Sequence, residues 1–339
     1  MSLERVACMT KKKKGIVLFM LTAIALIGFA SGCATAPEDP TNAKPPVEGE
    51  PGDSITINRN AVFRYVQESK SVWEFAQRLF IDTIVYKDKF GSFVFAPIDN
   101  SLPRSEYNWD YLKELGTVHR EVEYVKSGKT LSIKGIDVSR YQKTIEWDKV
   151  AGDGVRFAFV RLGYRGYDKG KLVMDELFEE NARGAAKNGV ALGVYFVTQA
   201  VSVEEAIEEA EYVLDAIKPY NVSWPIVLDI EDAASQTART VALSKAERTD
   251  HAIAFCETIQ EAGYTPMLYS NIRWYMDELD LTRLTEYDKW FAQYFKRPFF
   301  PYAFQVWQYT DSGRVDGITG PVDLNISFVD YGERKESTE

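Results

Sequence analysis

The chain has 339 residues, of which 45% are hydrophobic and 13% aromatic, enough for one large α/β domain or two smaller ones with a sizeable core. The chain has only two histidines and three cysteines, none at metal-ligand spacing, which argues against zinc chemistry, Ser-His-Asp hydrolysis and Cys-His catalysis. It has 50 Asp and Glu residues, so carboxyl groups are the abundant candidates for catalysis. The net charge of −10 does not indicate a basic surface, so we expect no nucleic-acid partner.

The amino terminus is predicted to direct export. Four lysines at 11–14 precede a sixteen-residue apolar run at 15–30, which a Ser-Gly dipeptide joins to Cys33. Small residues before a cysteine resemble the lipobox of bacterial lipoproteins, in which the cysteine is lipidated and becomes the first mature residue. Ala30 stands where that motif usually has Leu, which leaves an uncleaved membrane anchor as the alternative, although sixteen apolar residues are short for a membrane span. Both interpretations of residues 1–33 predict a protein outside the cytoplasm, tethered to the cell membrane and facing the cell wall.

Two segments lie between this signal and the main domain. Residues 34–55 are rich in Pro, Gly, Glu and Asp, which predicts a disordered tether. Residues 56–130 carry mixed helix and strand signals without a catalytic pattern, and we interpret them as a small N-terminal extension of unknown role.

From Lys134 onward, short apolar strands alternate with helical stretches, the pattern of a parallel α/β sheet or barrel. The last three connections are too short for full helices, so we expect an irregular barrel over residues 131–330, followed by a polar tail at 331–339. The predicted helices are Met174–Asn188, Val203–Ile217 and Lys245–Ala262. The predicted strands are Gly135–Val138, Phe157–Leu162, Ala191–Val197, Pro225–Ile230, Thr265–Tyr269, Lys289–Gln293, Phe304–Gln308 and Val322–Ile326.

The fourth predicted strand ends in alternating carboxylates. Asp229 and Glu231 share one face of this strand, roughly 6.5 to 7 Å apart along it. Two acids in a partly dry site cannot easily both stay charged, so one pKa rises and the site gains a proton donor beside an ionised partner. An isolated Asp-x-Glu in an acidic protein is more often an exposed strand end. Barrel chemistry gathers at C-terminal strand ends, which adds Asp137 after the first strand, and Asp323 begins the last one.

Several segments carry a family resemblance that covers about residues 134–328. They are Lys134–Gln142 (KGIDVSRYQ), Ile145–Trp147 (IEW), Phe157–Arg161 (FAFVR), Gly193–Phe196 (GVYF), Leu228–Glu231 (LDIE), Trp307–Tyr309 (WQY) and Val322–Asn325 (VDLN). Taken in order, they resemble the glycoside hydrolase family 25 lysozymes. Several relatives have His in place of Arg140, and Tyr-His-Phe where this chain has Tyr195-Phe196.

The resemblance implies an irregular TIM-like α/β barrel of five βα units plus three further strands. It implies N-acetylmuramidase activity, the hydrolysis of the β-1,4 bond from N-acetylmuramic acid to N-acetylglucosamine in peptidoglycan glycan strands. Glu231 would be the proton donor and Asp229 its partner, with Asp137 and Asp323 as the other acids of the site. No metal or organic cofactor is implied.

Glycoside hydrolysis needs an acid for the leaving oxygen and a second group that stabilises an oxocarbenium-like transition state. We expect burial, Asp229 and Asp137 to raise the pKa of Glu231. The same-strand spacing falls between the ranges of retaining and inverting enzymes. It also suits a substrate-assisted route, in which the substrate's N-acetyl oxygen attacks C1 while Asp229 orients that amide.

Side chains around the acids are candidates for sugar binding. For each aromatic residue taken alone, packing in the barrel core is the favoured interpretation, because barrels bury many aromatic side chains. Arg161 and Gln308 are candidates for bonds to sugar or peptide groups, with a structural ion pair or a buried amide as the alternative. The aromatic candidates are Tyr164, Tyr195, which is favoured for its place on the third strand, Tyr269, Trp290 and Trp307.

Two other functions remain open at this point. A wall-binding module could keep the groove without catalysis, although such a module has no need of the four acids. A hydrolase of another amino-sugar polymer, such as chitin, would also fit the export signal, but the motif set favours peptidoglycan.

Overall fold

A computed structural model describes residues 83–115, 120–233 and 235–332. The predicted signal segment with Cys33, the tether, the first part of the N-terminal extension and most of the polar tail lie outside the described residues. Within the described ranges, no helix is both long enough and apolar enough to cross a membrane.

The described part of the N-terminal extension consists of two small antiparallel sheets. Strands β1 (Thr83–Lys87) and β2 (Phe93–Pro97) form a hairpin. Strands β3 (Leu112–Leu115), β4 (Glu121–Lys126) and β5 (Lys129–Thr130) form the second sheet, in which β4 is central.

The following strands close a barrel of eight, which confirms the predicted barrel. Seven neighbouring strands run parallel, and the last strand, β14, is antiparallel to both β13 and β6, which it joins. Strand β8 (Leu172–Met174) lies outside the barrel as a hairpin partner of β7. The barrel strands are β6 (Ile133–Val138), β7 (Phe157–Arg165), β9 (Ala191–Val197), β10 (Val222–Asp229), β11 (Pro266–Asn271), β12 (Asp288–Ala292), β13 (Val306–Gly313) and β14 (Val322–Ser327).

Helices cover only the first part of the barrel. The short helix α1 (Trp147–Gly152) follows β6, and α2 (Phe178–Lys187), α3 (Val203–Ile217) and α4 (Lys245–Glu261) connect the next strands. Serine caps begin α3 and α4 by accepting a hydrogen bond from a backbone N–H of the first turn. A π-helical turn (Trp274–Glu278) follows β11. The connections after β12 and β13, which are fully described, contain no helix, so the predicted irregularity is present. The count of five βα units stays a prediction.

The N-terminal extension packs where those helices would lie. The Tyr107 ring stacks on Phe328 at 4.0 Å between centroids, and its hydroxyl donates to the backbone oxygen of Phe304 at 2.8 Å. The Arg120 guanidinium lies over the Trp307 ring at 5.4 Å and donates to the backbone oxygen of Tyr309. The extension therefore shields apolar barrel surface from water.

Large side chains fill the lower part of the barrel lumen. Glycines on neighbouring strands make the room, because a Cβ on Gly135 would lie 2.2 Å from the Phe157 ring and one on Gly193 2.5 Å from the Phe159 ring. The lumen is therefore a packed core, and only its upper end, at the C-terminal ends of the parallel strands, is open to chemistry. The buried lumen residues are Phe157, Phe159, Trp224, Val227, Met267, Trp290 and Val306.

Candidate active site

A polar layer lies directly above the apolar lumen. Alternate residues of a strand point to the same side, so the residue two positions after each lumen residue also faces inward, one layer nearer the mouth. The parallel strands thus bring six predicted site residues to one level of the barrel. They are Asp137, Arg161, Tyr195, Asp229, Tyr269 and Gln308.

Asp137 and Asp323 form a hydrogen-bonded pair across two strands. They are register partners in the antiparallel ladder of β6 and β14, so their side chains meet on the lumen side. Burial and the charge of Asp137 raise the pKa of Asp323 to about 9. Burial also raises the pKa of Asp137, against the hydrogen bonds that stabilise its charge. Asp323 therefore carries the proton and donates it to Asp137.

A network of amides fixes the orientation of Asp137. Its Oδ2 accepts hydrogen bonds from Gln308 Nε2 at 2.9 Å and Asn325 Nδ2 at 2.8 Å. The Gln308 Oε1 accepts from the hydroxyls of Tyr269 at 2.8 Å and Tyr294 at 2.9 Å. The Asn325 Oδ1 accepts from the indole N–H of a lumen tryptophan at 2.8 Å. Because each amide oxygen faces a donor, each amide nitrogen must face the carboxylate.

Asp229 ends strand β10 as a poorly satisfied buried acid. Its side chain is 5% exposed, and its Oδ1 is buried without a hydrogen-bond partner among the described residues. Burial, followed by the charges of Glu231 and Asp137, raises its pKa well above the ordinary value, while Arg161 opposes this shift. Asp229 is thus the site's least stabilised negative charge.

Glu231 lies just beyond the strand end, where the chain leaves the barrel, and its side chain is exposed. The surrounding protein still desolvates the carboxyl group, which raises its pKa, and the charges of Asp232 and Asp137 act in the same direction. An accessible carboxyl group with a raised pKa can deliver a proton to a ligand.

Arg161 takes part in a structural ion pair, one of the two alternatives for this residue. Its Nε donates to Asp175 Oδ2 at 2.7 Å, and the Asp175 side chain is fully buried. The guanidinium lies 5.0 Å from the Tyr141 ring centroid and 5.8 Å from that of Tyr164. Arg161 therefore connects the rim of the barrel opening to the polar layer that contains the acids.

The aromatic candidates divide by depth. Trp290 and Trp307 are 1% and 0% exposed, so they pack in the core, the interpretation favoured for each of them alone, and offer no ring face to sugar. Gln308, at 2% exposed, is a buried amide that donates to Asp137, which is one of the two alternatives for this residue, and it does not face the opening. Tyr164, Tyr195 and Tyr269 are partly buried and line the upper barrel; for them, sugar contact stays a prediction.

The sequence-based candidates omitted Tyr294 and Asp175. Tyr294 follows β12 at its C-terminal end, so the rule that identified Asp137 also applies to it. Asp175 follows the short outer strand β8, whose three residues show no periodicity from which a strand could be predicted. Among the described residues, no group of three or more His, Cys, Asp or Glu side chains is placed to hold a metal ion.

Glycoside hydrolases use two carboxyl groups of this kind to cleave the bond between two sugars. One is an accessible protonated acid, and the second acid lies beside it at the mouth of a cleft. A family model, Glycosyl hydrolases family 25, matches residues 136–318, more than half of the chain. The chain belongs to this family and is therefore a glycoside hydrolase.

Individual relatives agree with this assignment. The uncharacterized protein YegX of Escherichia coli (strain K12) is 32% identical over 205 residues, covering 58% of this chain and 69% of that protein. The autolytic lysozyme of Clostridium acetobutylicum is 24% identical over 57% of this chain. This chain spans 55% of the length of that relative.

Solved structures share the fold. The modular autolysin LytC from Streptococcus pneumoniae, in complex with a synthetic peptidoglycan ligand, has a TM-score of 0.54 at 22% identity and matches 72% of this chain and 56% of its own. A family 25 glycosyl hydrolase from Bacillus anthracis has a TM-score of 0.51 at 22% identity and matches 60% of this chain and 92% of its own.

Proposed function

We propose that the protein hydrolyses peptidoglycan at the β-1,4 bond from N-acetylmuramic acid to N-acetylglucosamine. The observation that carries the proposal is the pair formed by buried Asp229 and exposed Glu231 at one strand end, both with raised pKa values. Family membership supports glycosidic chemistry, and two relatives, an autolytic lysozyme and an autolysin bound to a peptidoglycan ligand, support the substrate.

In the proposed mechanism, Glu231 is the general acid and then the general base. Its carboxyl group protonates the leaving glycosidic oxygen, and the resulting carboxylate later takes a proton from the attacking water. Because burial and the charges of Asp232 and Asp137 raise the pKa of Glu231, the first of these protons is held to a higher pH than on an ordinary glutamate.

Asp229 is proposed to act through the substrate's own N-acetyl group. Its unpaired Oδ1 can accept a hydrogen bond from the acetamido N–H, which orients the acetyl oxygen toward C1. The acetyl oxygen forms a bond to C1 as the glycosidic bond breaks, and water then opens this cyclic intermediate. Asp137, which accepts hydrogen bonds from Gln308, Asn325 and protonated Asp323, is proposed as a supporting acid. A covalent adduct between the sugar and Asp229, trapped and found by mass spectrometry, would instead establish a carboxylate nucleophile.

The site of action is proposed from residues 1–33. A lipid on Cys33, or an uncleaved anchor, would hold the enzyme at the outer face of its own membrane. The net charge of −10 provides no electrostatic attraction to an anionic wall, so the tether would supply the proximity that charge does not. Metabolic labelling with a radioactive fatty acid tests the lipid: label should enter the wild type and be absent from Cys33→Ser.

The activity is tested by digesting purified peptidoglycan with residues 54–339, reducing the products with borohydride and identifying the reduced ends by mass spectrometry. Reduced muramic acid ends that are absent with Glu231→Gln would support both the bond and the role of Glu231. Reduced glucosamine ends would show cleavage of the other bond, and intact glycan with retained wall binding would point to a binding module.

A further inference from the structure

Tyr141 is an exposed aromatic residue at the mouth of the barrel, with 69% of its surface accessible. It lies in the short 3-10 helix Arg140–Gln142, which closely follows the strand that carries Asp137. A ligand that covers an exposed aromatic face removes apolar area from water, which favours binding. No role in the proposed chemistry accounts for this exposure.

The turn that carries Tyr141 is rigid. Ser139 and Gln142 form a reciprocal capping box, in which the Ser139 Oγ accepts from the Tyr141 N–H at 3.3 Å and the Gln142 Oε1 accepts from the Ser139 N–H at 2.9 Å. The Arg140 N–H donates to the buried carboxylate of Asp175 at 3.2 Å. The backbone under the ring is therefore fixed at three points.

The ring itself is held by two cations. The guanidinium of Arg161 lies 5.0 Å from the Tyr141 ring centroid, and that of Arg140 lies 5.4 Å from it. Arg161 is locked in turn by its ion pair with fully buried Asp175. Because a buried ion pair adds little net stability, its effect here is to fix the position of the groups around it. Tyr141 thus presents a flat surface that needs no further ordering when a ligand binds.

We propose that Tyr141 forms a sugar-binding subsite, on which one pyranose ring of the glycan strand stacks beside the residue being cleaved. The inference rests on the proposed function for the nature of the polymer. One side of a pyranose ring presents mainly C–H groups, whose partial positive charge and apolar area match the face of an aromatic ring. The Arg161 guanidinium lies over the Tyr141 ring, and its charge opposes the rise in the pKa of Asp229. One side chain therefore separates this subsite from the polar layer that contains the acids. A contact of this kind, equal in the ground state and the transition state, changes KM rather than kcat.

The experiment compares Tyr141→Ala, Tyr141→Phe and Phe90→Ala with the wild type. Phe90, at 82% exposed, is the control for the loss of an exposed aromatic ring outside the region that the family model matches. Kinetics are measured on peptidoglycan, and binding of peptide-free glycan strands is measured by calorimetry in the inactive Glu231→Gln background. We expect Tyr141→Ala to raise KM and the dissociation constant by about 3- to 10-fold with kcat unchanged. Tyr141→Phe, which keeps the ring but loses the hydroxyl contacts to Arg140 and Arg161, should lose less than Tyr141→Ala, and Phe90→Ala should match the wild type.

The outcomes separate this inference from the proposed function. Cleavage and binding by Tyr141→Ala at wild-type levels would overturn the subsite and leave the proposed function intact. Equal losses in Tyr141→Ala and Tyr141→Phe would assign the effect to the hydroxyl and overturn stacking, and an equal loss in Phe90→Ala would overturn a specific subsite. If the Glu231→Gln protein with Tyr141 intact bound no glycan strand, both the subsite and the proposed substrate would be refuted.

Discussion

Replacing Asp229 with Asn should make the protein more stable while abolishing its activity. The carboxyl group is 5% exposed, its Oδ1 has no hydrogen-bond partner in the described part of the chain, and Glu231 and Asp137 add negative charge nearby. An unsatisfied buried group costs about 1 to 3 kcal/mol and more when it is charged, and an amide removes the charge without changing the volume, although its oxygen keeps no partner in that part of the chain. We therefore expect Asp229→Asn to raise the free energy of unfolding by about 1 to 3 kcal/mol at pH near 8, or Tm by roughly 2 to 10 °C.

The gain should depend on pH. Because the pKa of Asp229 is raised above 3.8, the folded protein keeps a proton that the unfolded chain releases, and the stability of the wild type falls as the pH rises above that value. The variant has no such group at this position. The difference in Tm should therefore be small near pH 4 and grow toward pH 8, which thermal unfolding followed by circular dichroism at a series of pH values can measure.

Asp175→Asn is the matched control, since Asp175 is also a buried aspartate but has a cation as its partner. Neutralising it leaves Arg161 buried without its counter-charge, which should lower the free energy of unfolding by about 3 to 5 kcal/mol. The two substitutions should thus have opposite signs. The reasoning would be refuted if Asp229→Asn destabilised the protein at pH 8, or if its gain were the same at every pH.

Three further substitutions test other features of the structure. The charge of Asp232 helps to raise the pKa of Glu231, so Asp232→Asn should move the alkaline limb of the pH–rate profile to lower pH; an unchanged limb would remove Glu231 as the titrating acid. Gly193→Ala would place a Cβ 2.5 Å from a lumen phenyl ring and should cost about 1 to 3 kcal/mol in urea denaturation, whereas Gly152→Ala, with open space around it, should cost nothing measurable. Tyr107→Ala removes a ring stack and a hydrogen bond between the extension and the barrel, and a loss of about 2 to 3 kcal/mol in the same assay is expected; no loss would mean that the extension contributes nothing to barrel stability.

The eight barrel strands could be predicted because their signal is local. Each is a short apolar run bounded by turn residues, and the predicted run Ala191–Val197 coincides with β9. The direction of the last strand could not be predicted in this way, since the residues of a strand do not encode whether its neighbours run parallel to it. Yet that direction brings Asp323, at the start of β14, opposite Asp137 at the end of β6. In the extension, the apolar run at residues 90–98 predicts a strand, and β2 lies within it.

The acids of the candidate site followed from the rule about strand ends, but the roles of the other polar side chains did not. Trp290 and Gln308 point toward the same lumen as the acids, and the sequence contains no measure of how deep in the barrel each one lies. At their actual depth they satisfy hydrogen bonds instead of facing the opening. The partner of Arg161 was equally hidden, because Asp175 follows a strand of three residues that only the tertiary fold stabilises.

The acids Asp137 and Asp323 can come together only late in folding, because one of them lies on the antiparallel last strand. Asn325 and Asp137 are separated by 188 positions in the chain, so Asp137 meets neither Asn325 nor Asp323 until the final strand has been synthesised and has docked. A growing or prematurely ended chain that lacks β14 has an open barrel and an incomplete set of acids. For an enzyme proposed to cut the wall that surrounds its own cell, this order of assembly would keep unfinished copies harmless.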